Sequence, residues 1–328
     1  MNCEFEDKIF TIDSAGFNDL TLAVFQFQAA NNRIYSQYLS AIGCDPGQVK
    51  TIGEIPFLPI SFFKTHEVMS GEFIPETIFE SSGTTSTINS RHYLKSKELY
   101  RKSFTAAFRH FYGEPAEWCI IGLLPSYLER SSSSLVMMVD ALIKSSGHGM
   151  SGFYLYDHDT LYTNLLELEN QSQKTLLIGV SFALLDFAEK YEMKFNHVSV
   201  METGGMKGRR AEITRMELHN HLKNAFGLAS VHSEYGMTEL LSQAYSRSDG
   251  QFQCPAWMKL MVREDDDPLS VNTFGKGMLN VIDLANLYSC SFIATDDIGV
   301  VYENGSFEVQ GRMDNSDIRG CSLMVSEL

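Results

Sequence analysis

Apolar residues between positions 17 and 39 recur at helical spacing. Leu20, Val24, Phe27, Ile34 and Tyr38 fall on one stripe, which predicts a single amphipathic helix over 17–39. A proline-punctuated run, Ile55-Pro56-Phe57-Leu58-Pro59-Ile60, follows and reads as an extended connector, because a residue before proline is steered away from the helical region. Beyond it the period switches repeatedly. Tyr100, Phe104, Phe108 and Phe111 predict a helix, 118–124 a buried strand, and Leu135, Met138, Val139 and Leu142 another helix. Residues 175–179 read as a strand leading into a helix around 184–191, 197–201 as a strand, and 211–225 as a helix. This alternation predicts an α/β domain, a largely parallel sheet flanked by helices. From about residue 250 the texture changes to short strands at 258–262, 279–282, 291–294, 300–302 and 307–309, the last two flanking the hairpin turn Glu303-Asn304-Gly305-Ser306. The expected division is an α/β core over 1–250 and a β-rich subdomain with the C-terminal tail over 251–328.

Composition narrows the class. Hydrophobic residues make up 44% of the chain, with 22 Phe and 14 Tyr, enough for a substantial core. The net charge of −15 argues against broad attraction to nucleic acid or to an anionic membrane surface. No apolar run approaches the ~18–20 residues that span a bilayer, so no transmembrane segment is expected. The acidic start lacks a signal-peptide pattern, and the expected location is the cytoplasm. Six cysteines (Cys3, Cys44, Cys119, Cys254, Cys290 and Cys321) form no C-x-x-C pair and are expected as thiols. His219 and His221, two apart on a predicted helix, point to different faces, so a metal pair is not expected. Residues 265–267 read as a solvated turn before Pro268.

Four segments carry candidate chemistry. Ser81-Ser82-Gly83-Thr84-Thr85-Ser86-Thr87 is a glycine among hydroxyl donors, suited to wrapping phosphates, although no G-x-x-x-x-G-K-[ST] occurs; the alternative is a plain Ser/Thr loop. In Ser233-Glu234-Tyr235-Gly236-Met237-Thr238-Glu239, a flat aromatic beside a glycine can lie against a purine. The Thr238 hydroxyl can hold an α-phosphate oxygen, and the Glu239 carboxylate can hold Mg2+. The alternative is a turn with a helix starting near Thr238. Thr295-Asp296-Asp297-Ile298-Gly299 places a carboxylate in a tight turn between strands, where it can accept both ribose hydroxyls; a simple hairpin turn is the alternative. Finally, Arg312 of Gly311-Arg312-Met313-Asp314 can contact ribose and phosphate oxygens. With Arg319 it can favour the thiolate of Cys321, which is otherwise an inert buried thiol.

Taken in order, SSGTTS, YGMTE, TDDIG and GR-x-D resemble the adenylate-forming superfamily of acyl-CoA synthetases, peptide-synthetase adenylation domains and luciferases. Residues 55–64 (IPFLPISFFK), 201–208 (METGGMKG), 277–286 (GMLNVIDLAN) and the ending DIRGCSLMV are similar to LuxE-type acyl-protein synthetases of the bacterial fatty acid reductase system. The resemblance implies an adenylate-forming fold in which Ser81, Ser82, Gly83, Thr84 and Thr85 form the phosphate loop. Gly204 and Gly205 would line the adenine pocket, with Tyr235 and Gly236 against the base. Thr238 would touch the α-phosphate, Glu239 the magnesium, and Asp297 and Arg312 the ribose, while Cys321 would carry the acyl group. It further implies ATP and Mg2+ as cofactors, a carboxylic acid, expected to be a fatty acid, as substrate, and a LuxC-like acyl reductase or another acyl acceptor as partner. Two features depart from the pattern. Asp296 stands where the superfamily has glycine. The sequence stops 14 residues past Asp314, so it lacks the domain that carries the superfamily's adenylation lysine, and transfer to coenzyme A is not expected. Other readings stay open. One is an aryl or short-chain acid ligase like the phenylacetate–CoA ligases, and another a non-catalytic nucleotide- or acyl-binding subunit. The third is a serine hydrolase or acyltransferase built on Gly179-Val180-Ser181-Phe182-Ala183, in which Ala183 replaces the last glycine of a nucleophile elbow and Ser181 otherwise reads as a helix N-cap.

Overall fold

The computed structural model describes residues 2–81, 88–124, 132–204, 213–264 and 267–313. The chain opens with helices α1 (Asn2–Ile9), α2 (Phe17–Asn31) and α3 (Arg33–Ala41). Strand β1 (Leu58–Pro59), α4 (Phe62–Thr65), the pair β2 (Thr77–Glu80) and β3 (Arg91–Leu94), and α5 (Lys97–Tyr112) follow. An alternating stretch comes next: β4 (Cys119–Leu123), α6 (Ser134–Ser146), β5 (Gly152–Phe153), α7 (His158–Asn170), β6 (Thr175–Gly179), α8 (Ser181–Lys190), β7 (Val198–Glu202), α9 (Arg215–Phe226), β8 (His232–Tyr235) and β9 (Ala244–Ser246). The last described part is β10 (Met258–Arg263), β11 (Val271–Asn272), β12 (Gly275–Asp283), β13 (Phe292–Val301) and β14 (Phe307–Arg312).

These strands build two large sheets. The first has the order β5-β4-β6-β7-β8-β9 and is parallel except at β9. Its central strands, CIIGL and TLLIG, are buried at every position, as parallel strands covered by helices on both faces must be. The second sheet runs β1-β13-β12-β10-β11, with β14 also paired to β13. It is antiparallel apart from β1, which lies parallel to β13 through Leu58↔Ile293 and Pro59↔Ala294. The N-terminal helices pack on this second sheet. Gln28 donates to the carbonyls of Asn286 and Leu287 and accepts from the Ser291 N–H, and Tyr35 stacks on Phe292. Each fully buried aliphatic or aromatic side chain stabilises such packing by about 1.5–3 kcal/mol. No helix among the described residues is long and apolar enough to cross a membrane.

Four local expectations differ from the structure. The helix expected over 17–39 is two helices broken at Asn32, which is extended (φ −102°, ψ 106°). Its buried amide caps α3 by accepting from the Tyr35 N–H at 2.9 Å, and donates to Ser289 O at 2.9 Å. Those bonds to neighbouring segments outweigh the one helical bond lost. The two strands and turn expected across 291–302 are one strand, β13. Gly299 is required there by close approach to β14, since a side chain would run into the Glu308 carbonyl and Leu279. Thr238 starts no helix; 236–243 is irregular and leads into β9. Val180, not Ser181, is the N-cap of α8, and Ser181 is its buried first residue. The hairpin turn at 303–306 is present, with Gly305 at φ +81°.

Candidate active site

Strands β7 and β8 end side by side, and their C-terminal loops, 203–204 and 236–239, open on the same end of the parallel sheet, where α/β folds place ligands. Glu202 terminates β7. Its buried carboxylate accepts from the Gly204 N–H at 2.6 Å and pairs with Arg215 Nε at 3.2 Å, and His219 Nε2 lies 3.7 Å away. Burial works to raise this carboxyl, but the His219, Arg215, Ser233 and Gly204 donors outweigh it and hold the group below the usual carboxylate range. Gly204 takes φ +71°, which favours glycine.

Tyr235 ends β8 and is 8% exposed, with edge contacts to Phe252 and Phe307. Its hydroxyl donates to Asp297 Oδ2 at 2.8 Å, joining the first sheet to the second. Asp297 faces Arg312 across the β13–β14 ladder, with Arg312 Nε 3.8 Å from Asp297 Oδ1. Burial raises the Asp297 carboxyl, and Arg312 and the Tyr235 hydroxyl offset part of that rise. Thus Tyr235, Asp297 and Arg312, distant in sequence, form one contact group.

The turn after Tyr235 is braced from two sides. His92 on β3 is buried and lowered to about 4 by desolvation, so it is neutral at pH 7. It lies 2.9 Å through Nδ1 from the Thr238 carbonyl; a carbonyl only accepts, so Nδ1 carries the proton. Asp283 accepts from the Leu241 and Ser242 N–H groups and from the Ser242 hydroxyl, and Asn286 donates to the Glu239 carbonyl. Glu239 itself is buried, and burial raises its carboxyl, against the Ser90 hydroxyl, its own backbone and the fields of Arg312 and Lys64. Ser90 also ties Glu239 to the hydroxyl-rich loop. The Ser81 N–H donates to Ser90 O at 3.0 Å, and the Ser90 N–H donates to Ser81 Oγ at 2.9 Å, closing the base of that loop between β2 and β3.

Among the described residues no cluster of three or more His, Cys, Asp or Glu side chains stands ready for a metal. A single hard carboxylate free of ion pairs still fits Mg2+, which takes most of its ligands from water and phosphate. Glu239 is such a group.

Between these parts lies a cleft of about 130 Å³, lined by Glu80, Tyr100, Ser133, Ser134, Leu135, Met138, Thr203, Glu234, Gly236, Met237, Thr238 and Gln243. A side chain at Gly236 would meet the Glu234 carboxyl and turn it aside.

Of the residues singled out in the sequence, Ser81, Gly204, Tyr235, Gly236, Thr238, Glu239, Asp297 and Arg312 are in the described structure, gathered around the ends of β7 and β8 and the β13–β14 ladder. Ser82, Gly83, Thr84, Thr85, Gly205 and Cys321 lie outside the described residues, as does Arg319. The serine-elbow context is present as strand β6 followed by α8, but no hydrogen bond joins Ser181 to a histidine among the described residues. Sequence reasoning missed Ser90, His92, Lys64 and Gln243, and gave Glu234 no role although the SEYGMTE segment contains it. Lys64 also had a signal, as the last residue of the IPFLPISFFK run.

A family model for acyl-protein synthetase, LuxE, matches residues 152–328, more than half of the chain. No match is found among the curated proteins. Among solved structures, ATP-bound MatB from Rhodopseudomonas palustris is similar at 19% identity and a TM-score of 0.53, over 74% of this chain and 49% of that one. An ATP-bound RpMatB-BxBclM chimera is similar at 17% identity and a TM-score of 0.54, over 74% and 49%. A long-chain-fatty-acid–CoA ligase (FadD1) from Archaeoglobus fulgidus is similar at 14% identity and a TM-score of 0.50, over 72% and 51%. The chain spans about half the length of these structures and shares their α/β fold, that of adenylate-forming, acyl-CoA synthetase-like domains.

Proposed function

The chain belongs to the acyl-protein synthetase (LuxE) family, and from that premise we propose that it is a ligase that activates a carboxylic acid with ATP as acyl-AMP and passes the acyl group to its own Cys321 as a thioester. The observation that carries this reading is the convergence of Tyr235, Asp297 and Arg312 from two sheets beside Thr238 and Glu239, at the base of the Ser81 loop.

A carboxylate is a poor acyl donor because its leaving group would be oxide. One of its oxygens forms a bond to the α-phosphorus of ATP, the bond to the bridging oxygen breaks, and pyrophosphate leaves with the electron pair. The protein's work is positioning and charge neutralisation. Asp297 accepts from the ribose hydroxyls, and Arg312 contacts ribose and phosphate oxygens. The base lies against Tyr235 and Gly236, beside Gly204 and Gly205. Ser81, Ser82, Gly83, Thr84 and Thr85 donate to the β- and γ-phosphates, and Thr238 donates to the α-phosphate. Glu239 would hold Mg2+, which supplies positive charge to the phosphate oxygens. The Cys321 thiolate then forms a C–S bond to the acyl carbon, and AMP departs with the electrons of the broken C–O bond. The thioester remains a good donor for a partner, such as a LuxC-like acyl reductase or another acceptor. The resemblance brings with it a fatty acid as the acyl group.

The test supplies ATP, Mg2+ and a panel of labelled acids to the full chain. Acid-dependent ATP–pyrophosphate exchange is expected, with a hydroxylamine-sensitive label on the protein. Cys321→Ser should keep the exchange and lose the label; equal labelling of the variant rules out the carrier role. No exchange with any acid would favour a non-catalytic binding subunit, and fluorophosphonate labelling of Ser181 would favour the hydrolase.

A further inference from the structure

The cleft beside Thr238 bears on which acid is used, an inference that rests on the adenylation reading. An acid that attacks the α-phosphorus must sit next to the group that holds the α-phosphate, and Thr238 lines this cleft. The cleft is small. Its volume of about 130 Å³ is below the ~300–1,000 Å³ of ordinary small-molecule pockets.

It is also acceptor-rich. Gln243 is only 4% exposed, and its enclosed Oε1 accepts no hydrogen bond. The Glu234 carboxyl is folded over Gly236, and no hydrogen bond or ion pair reaches it among the described residues. Glu80 adds a second carboxylate, while the described lining includes no Lys, Arg or His. An enclosed acceptor without a donor is costly, and the half-buried Glu234 carboxyl beside it makes this cleft suited to a ligand that brings donors. A plain alkyl acid would leave both unpaired beneath its first carbons. A second groove of about 310 Å³, where Phe79, Val136, Met137 and Phe153 stand beside Thr77, Lys97 and Asp140, shares only Ser133 with the cleft. A long chain would reach it only after passing those acceptors.

We propose that, in place of the fatty acid the resemblance implies, the acid is a small amino acid, whose ammonium is held by Glu234 and Gln243 while its carboxylate faces the α-phosphate beside Thr238. Burial, and then the Glu202 carboxylate, push Glu234 up to about 8 in the empty cleft, so an arriving ammonium displaces its proton to water. Glu202 on β7 faces this group, together with the tyrosines Tyr100 and Tyr112 on α5 and Tyr245 on β9. All three tyrosines are raised by burial and stay neutral through pH 8.

The experiment is ATP–pyrophosphate exchange by the full chain with matched acids. Alanine, β-alanine and 4-aminobutanoate are compared with propanoate, butanoate, octanoate and dodecanoate. At least one amino acid is expected to exceed its amine-free analogue in kcat/KM by on the order of 10³-fold, as in sites built to hydrogen-bond a substrate group. Its KM should fall as pH rises from 6 to 8. Glu234→Gln should raise that KM by on the order of 10²-fold and flatten the pH dependence, with a melting curve confirming that the variant folds. Exchange that favours the alkyl acids overturns the inference and leaves adenylation standing. Failure of every acid to support exchange overturns adenylation, and the inference with it.

Discussion

Glu202 ends β7 and Glu234 is next to last on the neighbouring β8, yet their carboxyls are driven in opposite directions. Glu202 has Arg215, His219 and a backbone N–H; Glu234 has only burial and a like charge. For Glu234 the consequence is a pH-dependent stability. Its carboxyl is raised from an ordinary value near 4.5 to about 8 in the fold. Between those values the unfolded chain has released the proton that the folded chain keeps. Stability is therefore full below about 4.5, falls as pH rises, and has lost this contribution by about 8. The loss should be on the order of 2 kcal/mol, allowing for the water that reaches a half-buried group. Urea unfolding at pH 5 and pH 8 checks it: Glu234→Gln should be the more stable protein at pH 8 and lose that advantage at pH 5. An advantage that does not change with pH would mean that the carboxyl titrates normally. Tyr235, Thr238 and Glu239 could be picked out in the sequence because one short turn carries them all. Ser90, His92, Glu234 and Gln243 could not, because each gains its role from what tertiary folding brings against it.

The elements show where periodicity informs and where it fails. Strands β4 and β6 and helices α5 and α6 follow their apolar spacing closely, because each buries a complete face or both faces. The stripe from Leu20 to Tyr38 also lies against one core, and so it reads as one helix although the chain breaks at Asn32. A break that leaves the buried face intact leaves no mark on hydrophobic spacing. Only Asn32 marks it, as a residue that favours caps. Asn32→Ala removes the α3 cap and the donors to Ser289 O and Ser70 Oγ, and leaves the buried Tyr35 N–H without an acceptor, while the Ser70 hydroxyl still donates to Ser289 O. The cost should be about 2–3 kcal/mol, read as a lower urea midpoint at unchanged slope. A shift under about 0.5 kcal/mol, the range of ordinary surface substitutions, would show that the helices do not depend on this break. The strand β13 is the reverse case. Asp296, Asp297 and Gly299 have turn composition, but two neighbours pair with the strand along this stretch and Gly299 lets β14 approach.

At the scale of the molecule, the change of texture near residue 250 marks the passage from the mainly parallel sheet to the mainly antiparallel one. The return of Leu58 and Pro59 to pair with Ile293 and Ala294 had no local signal, since a pairing over that separation depends on the finished core. The candidate site depends on both sheets. Tyr235 comes from the first and Asp297 and Arg312 from the second, and one hydrogen bond spans the gap. A nucleotide held there should therefore stabilise the two sheets together. At a concentration 100 times its Kd, ATP should add about 2.7 kcal/mol, raising Tm by a few degrees in one cooperative transition. Asp297→Ala removes the acceptor for the ribose hydroxyls and the partner of Tyr235. It should weaken ATP by on the order of 10–100-fold, the cost of one or two charge-assisted hydrogen bonds, and shrink the thermal shift at the same ATP concentration. Tyr235→Phe keeps the carboxylate and loses one bond between the sheets, while the Phe252–Phe307 backbone pair remains, so it should lower the ligand-free Tm while retaining most of the ATP-induced rise. If both variants respond to ATP as the wild type does, the nucleotide binds elsewhere. If Tyr235→Phe loses the rise as completely as Asp297→Ala, the hydroxyl rather than the carboxylate is the group that recognises it.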